Sequence, residues 1–151
     1  MKVTVLLRND HDAVKSLFSE YKKTGLRTQN GKKELFDVIR RELLVHIQME
    51  TEIFYPALAA TASRKAGQLV ASAMEERGNV ERLLDEIAGL HPQDRELDGR
   101  MDELIAQVTR HIDREEEEIF DEARKSLPEH RLEELGLEMA ERRKLVGQLA
   151  A

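Results

Sequence analysis

A histidine and a glutamate four residues apart occur twice, as His46 with Glu50 and as His111 with Glu115, 65 residues further on. Both pairs fall in the apolar stripe of an amphipathic pattern. Phe36, Ile39 and Leu43 lead into the first pair and Ile53 and Phe54 follow it; Met101, Leu104 and Val108 lead into the second and Ile119 follows. Steps of three and four keep such residues on one helical face, so imidazole and carboxylate stand where core residues belong. Burying an unpaired carboxylate costs several kcal/mol, roughly, unless a cation or hydrogen bonds compensate it. A shared metal ion would compensate both pairs at once. Residues i and i+4 of a helix project the same way, roughly 6 Å apart along the axis, so each pair can reach one ion or two adjacent ions. Imidazole with carboxylate suits iron, manganese or zinc, and the spacing leaves the choice among them open.

Other metal chemistries are excluded by what stands around these residues. Cysteine is absent, so every protein ligand must be nitrogen or oxygen. The Glu-x-x-His motif of ferritin-like di-iron bundles does not occur: position i−3 is Arg8 for His11, Leu43 for His46 and Val108 for His111. The zinc-protease motif His-Glu-x-x-His fails at Ile47 and Ile112. His91 precedes Pro92 in a turn and His130 follows Pro128 near a helix start, so both read as surface residues. Glu116, Glu117 and Glu118 read as a solvated charge run; Tyr21 and Tyr55 could approach the site, with core packing the leading role for each.

The elements that must position the pairs are helices. The chain is 36% charged and 4% aromatic with three prolines, and its apolar residues recur at three and four without alternation. A first helix is expected over about residues 3–23, with Leu7, His11, Val14, Phe18 and Tyr21 inward and a stop near Gly25; a loop follows over 24–31. A second runs from near Lys32 to about Ala59, strained or ended near Pro56. A third reaches Ala88 after a cap at Thr61 or Ser63, with Val70, Ala73, Arg77, Val80, Leu84 and Ile87 inward, and ends at Gly89 and Pro92. A fourth spans about 94–126, and Pro128 separates it from a last amphipathic helix whose Leu132, Leu135, Met139 and Leu145 pack it as a fifth helix or form a partner surface.

An internal repeat organises these pieces. Residues 10–18 align with 76–84 at an offset of 66, and His46-Ile47-Gln48-Met49-Glu50 aligns with His111-Ile112-Asp113-Arg114-Glu115 at 65. Each half is then a helical hairpin, about residues 3–59 and 62–126. A four-helix bundle brings their inner faces together, with an additional C-terminal helix at about 128–149. The expectation is one all-α domain over residues 1–151. The repeat places Arg77 where symmetry with His11 calls for histidine.

A formal net charge of −6 with no basic face argues against a nucleic-acid partner. No stretch approaches membrane-spanning length and no signal-peptide cleavage pattern follows Met1, so a cytoplasmic location is expected.

The combined pattern resembles the hemerythrin-like, or HHE cation-binding, family. The matching features are Asp10-His11 opening an amphipathic helix, His46-x-x-x-Glu50 followed by Phe54-Tyr55-Pro56, and His111-x-x-x-Glu115-Glu116 followed by Ile119-Phe120. The resemblance covers nearly the whole chain and implies an up-down-up-down bundle holding a non-haem di-iron centre. His11 and His46 would ligate one iron, Glu50 and Glu115 would bridge, and the second iron would take His111 and a third-helix histidine. At that last position the chain reads Glu76-Arg77, and arginine is not a metal ligand.

Three outcomes follow. His11, His46, Glu50 and Glu115 bind one ion while Arg77, paired with Glu115 or Glu50, replaces the second cation; or Glu81 supplies a substitute ligand and a dinuclear site survives; or the buried residues form a metal-free salt-bridged network. The leading functional expectation is iron binding with dioxygen, nitric oxide or peroxide as the small ligand. The alternatives are a peroxide-decomposing di-iron enzyme and a degenerate bundle acting through protein contacts.

Overall fold

The structure, a computed structural model, describes residues 1–23 and 28–150. The helices are α1 (Val3–Lys22), α2 (Gln29–Met49), α3 (Tyr55–Ala59), α4 (Arg64–Ala88), α5 (Leu97–Arg114), α6 (Phe120–Ser126) and α7 (Glu129–Ala150). Two five-residue π segments, Glu50–Phe54 and Glu115–Ile119, join α2 to α3 and α5 to α6 without a break. No strand occurs among the described residues. Four rods result: α1, then α2 through α3, then α4, then α5 through α6. Adjacent rods pack as α1 on α2 and α4 on α5, and α7 lies along α1 and α2. This is the up-down-up-down bundle with an additional C-terminal helix.

Local chemistry explains where the boundaries differ from expectation. Thr28 Oγ1 accepts from the Gly31 amide at 3.0 Å, so α2 starts at Gln29, three residues ahead of Lys32. Ser63 does the same for Ala66 at 3.0 Å and starts α4. Asp94 is occupied in turns: its Oδ1 accepts from Glu96 N at 3.0 Å and its carbonyl from Leu97 N at 3.2 Å. α5 therefore begins at Leu97. The expected stop at Gly25 and residues 24–27 of the first loop lie outside the described residues.

Pro56 neither ends nor breaks its rod. The turn before it widens, the Tyr55 amide donating to the Glu50 carbonyl five residues back, and the Phe120 amide donates likewise to Glu115. The second π segment has no proline, so proline is not the shared cause. What the two share is a site glutamate at the first position, and π segments are frequent where a helix must aim functional side chains.

Two apolar clusters fill the bundle. One is built on Val3, Leu7, Phe54, Leu58, Leu69 and Phe120 and receives Leu132, Leu135 and Met139 from α7. The other is built on Phe18, Phe36, Ile39, Leu84, Met101 and Leu104. Between them lies a polar layer, with Leu7 and Val14 flanking His11, Leu43 and Met49 flanking His46, and Ala73 and Val80 flanking Arg77. Phe54 and Phe120 are fully buried just beyond the two glutamates. Each contributes about 1.5–3 kcal/mol and pins the segment that carries the carboxylate.

α7 differs from the expected amphipathic helix in one residue: Leu145 is 57% exposed, because it lies on the side turned away from α1 and α2. Close seating of this helix requires Gly136, where a Cβ would come within 1.9 Å of the Met1 carbonyl oxygen. No helix among the described residues is long and apolar enough to cross a membrane.

Candidate metal centre

His11 from α1, His46 from α2, Glu50 from the first π segment and Glu115 from the second are all buried, and one ligand atom from each lies within 4.8 Å of the others. Glu115 Oε1 stands 3.1 Å from His11 Nε2, and Glu50 Oε1 stands 3.0 Å from His46 Nε2. His111 enters from α5 with Nε2 at 3.2 Å from Glu115 Oε2 and 3.9 Å from Glu50 Oε1. Each glutamate thus lies between two imidazoles.

The outer nitrogen of every ring is held by a carboxylate. His11 Nδ1 donates to Glu116 at 2.8 Å, His46 Nδ1 to Asp10 at 3.2 Å and His111 Nδ1 to Glu76 at 2.7 Å. This fixes one tautomer in all three rings and turns each Nε2 lone pair toward the centre, as metal-ligating histidines are arranged. An arginine backs each carboxylate in turn: Arg8 lies 3.3 Å from Glu116, Arg114 lies 2.5 Å from Glu76, and Arg143 grips both oxygens of Asp10.

The inner atoms are not satisfied by one another. His11 Nε2, His46 Nε2, Glu50 Oε2 and Glu115 Oε1 are buried and have no hydrogen-bond partner; their close contacts have ion-pair distances without hydrogen-bond geometry. Buried polar atoms left so are costly. Two imidazole nitrogens and two carboxylates converging in a buried layer are the donor set of a divalent or trivalent metal of the iron, manganese or zinc type. The residues fit such an ion.

Without an ion, protons must balance the charge. Burial opposes protonation of His46, but the charge of Glu50 and the bond to Asp10 outweigh it and raise its pKa to about 10. Burial also opposes protonation of His111, and the carboxylates of Glu115, Glu50 and Glu76 lift it to about 12. Glu115 is fully buried, which alone would raise it. Contacts with Glu50, His11 and His111 hold its carboxyl well below the usual carboxylate range.

A cavity of about 30 Å³ opens beside these residues, lined by His46, Glu50, Tyr55 and His111 together with Val14, Leu43, Val80 and Val108. At about 10–15 Å³ for one water-sized guest, it accommodates a very small molecule.

Several residues behave differently from their sequence reading. Arg77 lines the cavity but pairs with neither Glu50 nor Glu115 among the described residues. Its Nη1 donates to Thr51 Oγ1 at 3.2 Å and its Nε lies 3.5 Å from Glu81, because Glu81 sits one turn away on the same helix. Glu81, 40% exposed, takes part in that pair and is not among the four donors that converge. Glu116 is not a solvated member of a charge run, since it orients His11. Tyr55 packs in the core and also donates its hydroxyl to Glu115, 3.4 Å from His111 Nε2. Burial, then the charges of Glu115 and Glu50, raise its pKa well above the usual phenol value. Tyr21 reaches Asp98 at 2.8 Å, and His91 and His130 are exposed.

Comparisons with known proteins bear on the fold and the family. A DNA nickase from Nostoc sp. is 26% identical over 138 residues, covering 91% of the chain; the chain spans 38% of that protein's length. The crystal structure of a hemerythrin HHE cation binding domain-containing protein from Mycobacterium kansasii superposes with a TM-score of 0.83 at 23% identity, covering 96% of this chain and 86% of that one, a likeness of fold. The profile described as the Hemerythrin HHE cation binding domain matches residues 3–123, which takes in both His-Glu pairs and both π segments. A bundle of this topology, with a buried His and Glu cluster compatible with a metal site and a family match over most of its length, belongs to the hemerythrin HHE cation-binding family.

Proposed function

We propose that the chain binds a non-haem iron ion through His11, His46, Glu50 and Glu115, and that a small ligand, dioxygen, nitric oxide or peroxide, enters the adjoining cavity. The observation that carries this reading is the convergence of four buried donors within 4.8 Å, two of them imidazoles pre-oriented by carboxylates. A metal-free salt-bridged network would need these atoms to satisfy one another, and four of them have no hydrogen-bond partner. Manganese and zinc accept the same donors; iron is preferred because the family resemblance implies a non-haem iron centre, and iron would supply the redox change that dioxygen or peroxide chemistry needs.

The chain's own residues divide the work. His11 and His46 would hold the ion through imidazole nitrogen, and Glu50 and Glu115 through carboxylate oxygen. His111, held by Glu76, would be a further ligand were a second ion to bind. The walls of Val14, Leu43, Val80 and Val108 exclude bulk water and favour an uncharged guest. Tyr55 and His111, 3.4 Å apart beside the cavity, can hold and move a proton there, which is the requirement for a peroxide-consuming form of the same site.

The test is metal content after anaerobic Fe(II) loading of the wild type and of His46→Ala. Loss of iron on substitution supports the assignment, and unchanged iron content overturns it. A steady-state peroxide assay on the loaded protein separates ligand binding from turnover.

A further inference from the structure

The three histidine–carboxylate–arginine chains are not equivalent. Arg8 lies on α1 with His11, and Arg114 lies on α5 with His111, so those two chains close within the four rods of the bundle. The third closes on α7. Arg143 donates from Nη1 to Asp10 Oδ1 at 2.7 Å and from Nη2 to Asp10 Oδ2, and Asp10 Oδ2 lies 3.2 Å from His46 Nδ1. α7 begins at Glu129, beyond the 3–123 span that the family profile covers.

We propose that Arg143 is a positioning residue for His46, so that seating of α7 and metal binding at His46 are coupled. The bidentate grip fixes the Asp10 carboxylate plane, a specificity that lysine does not reproduce. Asp10 in turn sets the tautomer and tilt of the His46 ring. A helix that leaves α1 and α2 takes Arg143 with it and releases Asp10. Linkage is reciprocal: whatever factor α7 adds to metal affinity, the bound metal adds to α7 seating. The inference rests on the metal site proposed above.

A neighbouring residue supplies the control. Arg142 also leaves α7, but it pairs with Glu52 across a surface where the two side chains are 44% and 39% exposed. Exposed pairs of that kind contribute little. The Arg143–Asp10 pair borders a surface hollow of about 180 Å³ that also touches Glu42 and His46, so shortening Arg143 opens no sealed void.

The experiment uses Co(II) as the probe, with affinity read by chelator competition, visible ligand-field bands read on the same sample, and hydrogen exchange of α7 amides followed with and without Co(II). Arg143→Leu is expected to weaken Co(II) about tenfold, the low end for outer-shell partners. It should also shift the bands and abolish the slowing of α7 exchange that Co(II) gives in wild type. Arg143→Lys restores affinity in part, and Arg142→Leu matches wild type in all three readouts. Arg143→Gln repeats the test if the leucine variant does not fold. Wild-type affinity and spectrum in the Arg143 variants, or an equal loss in Arg142→Leu, overturns the inference while leaving the metal site standing. Failure of the wild type to bind Co(II) overturns the metal site and the inference together.

Discussion

Replacing Glu116 separates a metal-site partner from a member of a solvated acidic run. Glu116 accepts from His11 Nδ1 at 2.8 Å with 23% of its side chain exposed, while the His11 side chain is 1% exposed. In the metal-free protein, Glu116→Ala leaves a buried ring nitrogen without an acceptor, at a cost of about 1–3 kcal/mol. For a chain of this size that lowers Tm by roughly 3–9 °C. With metal, the loss extends to affinity, because the ring is free to turn and its Nε2 is a weaker donor. Outer-shell partners are worth about 10–100-fold, and the partial exposure of Glu116 sets the expectation near the lower end. Glu116→Gln keeps an oxygen acceptor and should recover most of the Tm and part of the affinity. Glu117→Ala, at an exposed neighbour, stays within about 0.5 kcal/mol of wild type. Thermal denaturation and Co(II) competition on the three variants are the assays. Equal affinities for Glu116→Ala and Glu117→Ala would refute the claim that the carboxylates behind the histidines belong to the site.

Three further outcomes follow. In the metal-free fold, His46 titrates near 10 and His111 near 12, against about 6.5 in the unfolded chain. Their stabilisation is fully present below pH 6.5 and is lost progressively as pH rises toward those values, so the metal-free Tm should fall between pH 7 and 10 and the loaded protein should resist that fall; a flat metal-free profile counts against the charge balance described. Arg77→His puts an imidazole among the residues that line the cavity with His111 and should raise bound iron from about one to about two per chain, with unchanged stoichiometry in a folded variant as the contrary result. The net charge of −6 leads us to expect that the loaded protein leaves supercoiled plasmid intact, and metal-dependent conversion to nicked circles would contradict this.

The helices and the inward register of His11, His46, Glu50, His111 and Glu115 were legible because helical periodicity depends on near neighbours in sequence. What surrounds them was not. Asp10 precedes His11 yet serves His46, and Glu116 follows Glu115 yet serves His11, pairings set by how the rods cross. The π segments change register by one residue after each glutamate, which a fixed period does not anticipate and Pro56 does not explain. Arg77 was expected beside Glu50 or Glu115 as a substitute for the missing second cation; it pairs instead with Glu81 one turn away on its own helix and with Thr51 of the first π segment. Glu116 was hidden in a run of four glutamates, of which Glu117 and Glu118 are exposed. Arg143, 133 residues from Asp10, carried no sequence signal at all.

The most direct test of the central claim is metal stoichiometry by inductively coupled plasma mass spectrometry, on wild type and His46→Ala loaded anaerobically with Fe(II) and freed of excess ion. The four converging donors predict about one tightly held iron per wild-type chain and none in the variant, as a site needing each of its few ligands requires. A folded wild type that retains no iron, or a His46→Ala variant that retains as much as wild type, would contradict the account.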